Sequence, residues 1–125
     1  MTNSEHIKIL MQGATVWNEW RNTHPEIRPD LKRANLLSAD LKKYNLNSAN
    51  LRWVNFRNAD LSFSDLSCSD LSHADLRNAN LSYADLNSAN LYDCDLANAN
   101  LDQANIEWTI INRGTNFPDN RNEDE

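Results

Sequence analysis

Ala34-Asn35-Leu36-Leu37-Ser38-Ala39-Asp40-Leu41 repeats one three-residue phrase after five residues: a small residue, then Asp or Asn, then a large apolar residue. The phrase runs without a gap through residues 29–108. Its sixteen centres are Leu31, Leu36, Leu41, Leu46, Leu51, Phe56, Leu61, Leu66, Leu71, Leu76, Leu81, Leu86, Leu91, Leu96, Leu101 and Ile106. The residue before each centre is always Asp or Asn. The residue two before is Ala in ten units and otherwise Pro29, Tyr44, Val54, Ser64, Ser69 or Cys94.

In extended backbone, residues two apart share a face. The centre and the residue two before it therefore point inward, and the Asp or Asn between them points outward. The two residues after each centre are mostly polar, as in Lys32-Arg33, Asn47-Ser48 and Ser72-His73, and read as corners. A chain that turns every five residues while keeping one face inward winds around an axis, and its coils stack by backbone pairing. The length of a coil follows from which residues match. At a spacing of twenty, Asn58, Asn78 and Asn98 align, as do Arg57 with Arg77 and Phe63 with Tyr83. At fifteen, Phe63 meets Asn78 and Arg57 meets Ser72. Stacking of like residues favours the first spacing. The expected fold is an all-β solenoid of four coils with four sides each. Its interior carries no formal charge, and each buried Leu contributes about 1.5–3 kcal/mol.

This pattern resembles the pentapeptide-repeat family, whose unit is A(D/N)LXX. The resemblance implies a right-handed quadrilateral β-helix with the two apolar positions inside. Trp17-Asn18-Glu19-Trp20-Arg21, followed by Arg28-Pro29-Asp30-Leu31, is similar to the capping helix that precedes the repeats in many members, particularly cyanobacterial ones. Tyr44 and Val54 depart from the small residue usual at their position, which predicts a locally widened second coil.

The period changes ahead of the repeats. Ile7, Leu10, Ala14 and Trp17 are spaced as on one helix face. Ser4 is a candidate N-cap, and Pro25 and Pro29 stop the helix near residues 21–23. One short capping helix is expected, with Trp17 and Trp20 covering the first coil. Beyond the repeats, Trp108, Ile110, Ile111 and Phe117 break the pattern and are expected to fold over the last coil. The charged stretch 119–125 reads as a disordered acidic tail. The resulting division is 1–28 cap and linker, 29–108 β-helix, 109–125 C-terminal cap and tail.

A net charge of −6 over 125 residues disfavours direct nucleic-acid binding through phosphate contacts. No apolar run is long enough for a membrane span, and residues 1–10 lack the signature of a secretory signal. The two cysteines, Cys68 and Cys94, fall at different phases of the repeat, so reduced thiols and a cytoplasmic setting are expected. Charge is unevenly placed. Residues 28–57 carry 7 Lys/Arg and 2 Asp/Glu, whereas residues 58–125 carry 3 and 13.

Function is sought at the corners, because the interior repeats monotonously. Trp53 and His73 should stack on one side, between Arg33 in the preceding coil and Asp93 in the following one. Phe63 and Tyr83 should stack two corners on. Tyr92, Arg57 and Arg77 complete the candidate binding surface. Only His73 of the three histidines lies in the repeats. It has no nucleophile or pocket in evident reach, and Cys68, Asp70 and His73 match no closed metal site. No catalytic residue, metal or cofactor is expected. The leading reading is a non-enzymatic interaction or scaffold module with an unidentified protein partner. A homodimer through the C-terminal end is a further expectation. The alternative, drawn from the family resemblance, is a DNA-mimicking modulator of a type II topoisomerase, of the gyrase-protection or quinolone-resistance type.

Overall fold

A computed structural model describes residues 3–119. Residues 1–2 and most of the expected disordered tail, 120–125, lie outside the described residues.

From residue 30 onward the chain is a continuous ladder of single parallel rungs. Thirteen rungs join a residue to the one twenty positions on, from Asp30 with Asn50 to Asn90 with Ile110. One circuit is therefore four five-residue units. The first face carries Asp30, Asn50, Asp70 and Asn90. The second begins at Asn35, the third at Asp40 and the fourth at Asn45. Each rung uses the same bonds: Leu41 N–H donates to Asp60 O at 2.7 Å, Lys43 N–H to Ser62 O at 3.1 Å, and Asp60 N–H to Ala39 O at 2.9 Å.

The corner explains the pentad. Each centre's carbonyl accepts from the N–H three residues on, in fifteen units at 2.9–3.3 Å. In the sixteenth, the Thr109 hydroxyl donates to Ile106 O instead. The second residue after each centre lies in the left-handed region, with φ between 54° and 66° in all sixteen units. That is the type II turn pattern, which usually selects glycine or asparagine. None of these sixteen residues is glycine. The outward Asp or Asn locks the turn. In all sixteen units its side-chain oxygen accepts the N–H of the residue after the centre, at 2.9–3.3 Å. These Asx turns satisfy the N–H that points away from the ladder.

Inside, the centres from Leu31 to Leu96 are no more than 4 % exposed. Ser64 and Ser69 are buried at the small position, and their hydroxyls donate to Leu61 O and Leu66 O. Tyr44 is accommodated by sending its hydroxyl out of the ladder to Leu10 O, at 2.9 Å.

The single N-terminal helix expected from the spacing is two helices, α1 (Ser4–Leu10) and α2 (Ala14–Thr23). Gly13, at φ 104°, supplies the break, in a conformation that favours glycine. Asn3, rather than Ser4, caps α1 by accepting from Glu5 and His6 N–H. Both helices are tied to the first circuit through its unpaired edge. Asn3 N–H donates to Asp30 O, and Asp30 N–H donates to His6 Nδ1 at 2.9 Å. The Asn18 amide bridges Lys43 O and Asn45 N–H. Trp17 Nε1 and Arg21 both donate to Asn45 O, and Arg21 also to Asn47 O. Burial lowers the His6 pKa, with Asp30 opposing.

At the other end, of the residues expected to fold over the last coil, Ile110 prolongs the ladder instead, while Phe117 packs partly buried against the core. Ile110 pairs with Asn90, and Asn116 pairs with Asp95 at a spacing of twenty-one. The extra residue is absorbed by side chains standing in for backbone. Asn112 Oδ1 accepts Asp93 N–H, and the Thr115 hydroxyl donates to Leu91 O at 2.7 Å. A Cβ at Gly114 would lie 2.0 Å from Asp93 Oδ1, so the slip passes at a residue without one.

Two outcomes follow from the corners and the helices. Ser88, at φ 63°, loses the same hydroxyl in Ser88→Val and Ser88→Gly. Urea unfolding should find the valine variant less stable than the glycine variant by about 1–2 kcal/mol. Trp17 is fully buried, and Trp17→Ala should cost about 3–5 kcal/mol in the same measurement.

Candidate interaction surface

Because every corner places its second residue in the same backbone conformation, those residues form vertical columns. Arg33, Trp53, His73 and Asp93 occupy one. The Arg33 guanidinium carbon lies 5.5 Å from the Trp53 ring centroid. Trp53 and His73 stack at 4.2 Å with an interplanar angle of 6°. His73 Nδ1 lies 3.6 Å from Asp93 Oδ2, and Asn112 Nδ2 donates to Asp93 Oδ1 at 3.0 Å. Every member of this column has a neighbour that engages its polar or aromatic group.

The diagonally opposite column is Lys43, Phe63, Tyr83 and Gln103. Phe63 and Tyr83 stack at 4.8 Å and 2°, yet remain 56 % and 55 % exposed. Above Phe63 opens a cleft of about 450 Å³, lined by Gly13, Ala14, Asp40, Lys42, Lys43, Tyr44, Ser62 and Phe63. It lies where the α1–α2 link meets the third face. No local pattern announces this cleft, because Gly13 and Phe63 are fifty residues apart and come to line it only through the docking of the helices.

The remaining candidates are dispersed. Tyr92 projects from the first face and is exposed. Arg57 and Arg77 follow one another along the second face. Arg77 donates to both Asp75 oxygens, at 2.9 and 2.7 Å, and lies 3.9 Å from Asp95 Oδ2. The Arg77 hydrogen bonds hold the Asp75 carboxyl below its ordinary pKa against the effect of partial burial, with Arg57 adding a weaker attraction. Cys68 is exposed in a different corner column from His73, and Cys94 is buried, where desolvation pushes its thiol pKa up. Among the described residues, no group of three His, Cys, Asp or Glu side chains is placed to hold a metal ion. No described helix is long and apolar enough to cross a membrane.

The ladder and its corner chemistry have counterparts in known proteins. The family described as Pentapeptide repeats matches residues 45–82 and 79–117, in eight copies. The chain belongs to the pentapeptide-repeat family, whose fold is a right-handed β-helix solenoid. The crystal structure of alr5209, a pentapeptide repeat protein from Nostoc, is 33 % identical over 84 % of this chain and 87 % of that one, with a TM-score of 0.76. The pentapeptide repeat protein Rfr23 from Cyanothece is also 33 % identical, over 73 % of this chain and 66 % of that one, with a TM-score of 0.52. A search of curated proteins finds no match.

The Asp75–Arg77 pair carries a pH signature. Because Asp75 has a lower pKa folded than unfolded, its contribution is full above the ordinary carboxylate range. It is lost as pH falls through the lowered native value. Arg77→Gln raises that native value. Denaturation midpoints measured from about pH 6 down to about pH 2 should fall at a higher pH in the variant than in the wild type.

Proposed function

We propose that the protein is a non-enzymatic interaction scaffold that presents the Phe63–Tyr83 corner to a protein partner in the cytoplasm. In this reading the rod is a right-handed quadrilateral β-helix of about four coils, closed at its N-terminal end by α1 and α2. The observation that carries it is the contrast between the two aromatic columns. Trp53 and His73 are engaged above and below by Arg33 and Asp93. Phe63 and Tyr83 stack on each other and stay more than half exposed, and Phe63 lines the cleft beside Lys42 and Lys43. Exposed apolar surface rimmed by charge is the usual composition of a docking site. The two free cysteines agree with a reducing compartment. The topoisomerase-modulator reading has less support, because Lys42, Lys43, Arg52 and Arg57 make the upper half of the rod basic, the wrong sign for imitating DNA.

Affinity capture from native lysate separates the two columns. Phe63→Ala and Tyr83→Ala should each lose a partner that the wild type retains, by tenfold or more, while Trp53→Ala keeps it. Identical retention by all three variants would remove this reading.

A further inference from the structure

We infer that His6 is a pH-operated latch: its neutral imidazole holds α1 against the first circuit, and on taking a proton it releases α1 and removes one wall of the cleft beside Phe63. The consequence for recognition rests on reading the Phe63–Tyr83 corner as a docking site, whereas the latch itself does not.

The latch is one hydrogen bond with a fixed direction. In later circuits the N–H of the outward Asp or Asn donates to a carbonyl of the circuit before, as Asn50 N–H does to Pro29 O and Asp70 N–H to Ala49 O. Asp30 heads the first face and has no earlier circuit to donate to. Its N–H goes instead to His6 Nδ1, at 2.9 Å. A ring nitrogen accepts only while it carries no proton, so the docked imidazole is neutral, with its hydrogen on Nε2. Protonation at Nδ1 sets two N–H donors against each other at a site where the side chain is buried.

The two helices differ in how they are held. The N–H of Asn45, on the fourth face, is taken by Asn18 Oδ1, an amide that does not titrate. Trp17 and Arg21 add bonds to Asn45 O and Asn47 O. Apart from His6, α1 and its cap hold the first circuit through Asn3 N–H to Asp30 O, the buried Leu10, and Leu10 O, which accepts the Tyr44 hydroxyl. Gly13 separates the helices, so α1 can leave while α2 stays. Seven residues are too few for a stable helix on their own, and α1 melts once released. Gly13 N–H then loses Leu10 O, and the Tyr44 hydroxyl loses its acceptor. Both residues line the cleft.

The charges around the ring set the direction of the response. From the first circuit the Asp30 carboxylate favours the protonated ring, but burial outweighs it and the His6 pKa is lowered. From α2 the neighbour is the Trp20 ring at 5.0 Å, itself stacked with His24. On α1, Glu5 and Lys8 pair with each other at exposed positions. A docked pKa below the free one means that docking is at full strength above about pH 6.5 and weakens as pH falls toward the docked value, by up to about tenfold per unit.

Amide exchange on the full chain between about pH 7.5 and about pH 5, corrected for the intrinsic rates, tests this. Protection at Ile7, Met11 and Gly13 should fall about tenfold or more as the pH is lowered, while protection at Leu61 and Leu81 holds. His6→Asn places a non-titrating oxygen where Nδ1 stood and should make α1 protection independent of pH. His6→Phe removes the acceptor and should leave α1 unprotected throughout, again with Leu61 and Leu81 unchanged. His24→Gln should keep the wild-type response. An α1 whose protection ignores pH, falls equally in His6→Asn, or stops responding in His24→Gln would overturn the proposal. The latch is read without any partner: a failed capture at the Phe63–Tyr83 corner leaves it standing, and an α1 that ignores pH overturns it with the docking reading intact.

Discussion

The fold depends on one recurring hydrogen bond, from the N–H after each centre to the oxygen of the Asp or Asn two residues before it. A corner every five residues directs one N–H per unit out of the ladder and away from the interior. Without an acceptor, sixteen such groups would compete for water and loosen sixteen turns. The side-chain oxygen closes each turn locally, before any long-range pairing is made. The next residue can then be held in the left-handed region although it is Phe, Tyr, Trp or Ser rather than glycine. Stacking offsets part of that backbone cost at Trp53 and Phe63, where rings in successive circuits are held parallel.

This arrangement separates stability from recognition. The inward Leu and Ala positions and the outward Asp or Asn are fully used by the fold, in the core and in the Asx turns. The two residues after each centre are not, and they carry nearly all the variation along the rod. At one corner the variation is consumed internally, from Arg33 through Trp53 and His73 to Asp93 and Asn112. At the diagonal corner it is left facing outward. A rigid ladder holds such columns at a fixed spacing, which preorganises a surface and reduces the ordering cost of binding.

The two ends of the rod are resolved differently. At the N-terminal end, a buried Trp and Leu cover the apolar ring, while His6, Asn18 and Arg21 take up backbone groups on two faces. At the C-terminal end, Thr115 and Asn112 carry the ladder across a one-residue slip, and Phe117 packs partly buried against the core.

The sequence by itself determined the period, the inward columns and the stacked corner pairs. Each of these follows from local rules repeated at constant spacing: alternation within an extended triplet, a turn after each centre, and like residues twenty apart. The Trp53–His73 and Phe63–Tyr83 stacks were legible for that reason. The split of the N-terminal segment at Gly13 was not legible, because helical spacing continues across the break and the docking on Asp30 and Asn45 decides where it falls. Nor was the fate of residues 109–117. Read alone, Ile110 and Ile111 look like a lid, since Ile110 stands where Asp or Asn is otherwise invariant. Only the tertiary structure decided that Ile110 joins the ladder, because the choice rests on hydrogen bonds to Leu91, Asp93 and Asp95, about twenty residues away, which no local pattern encodes.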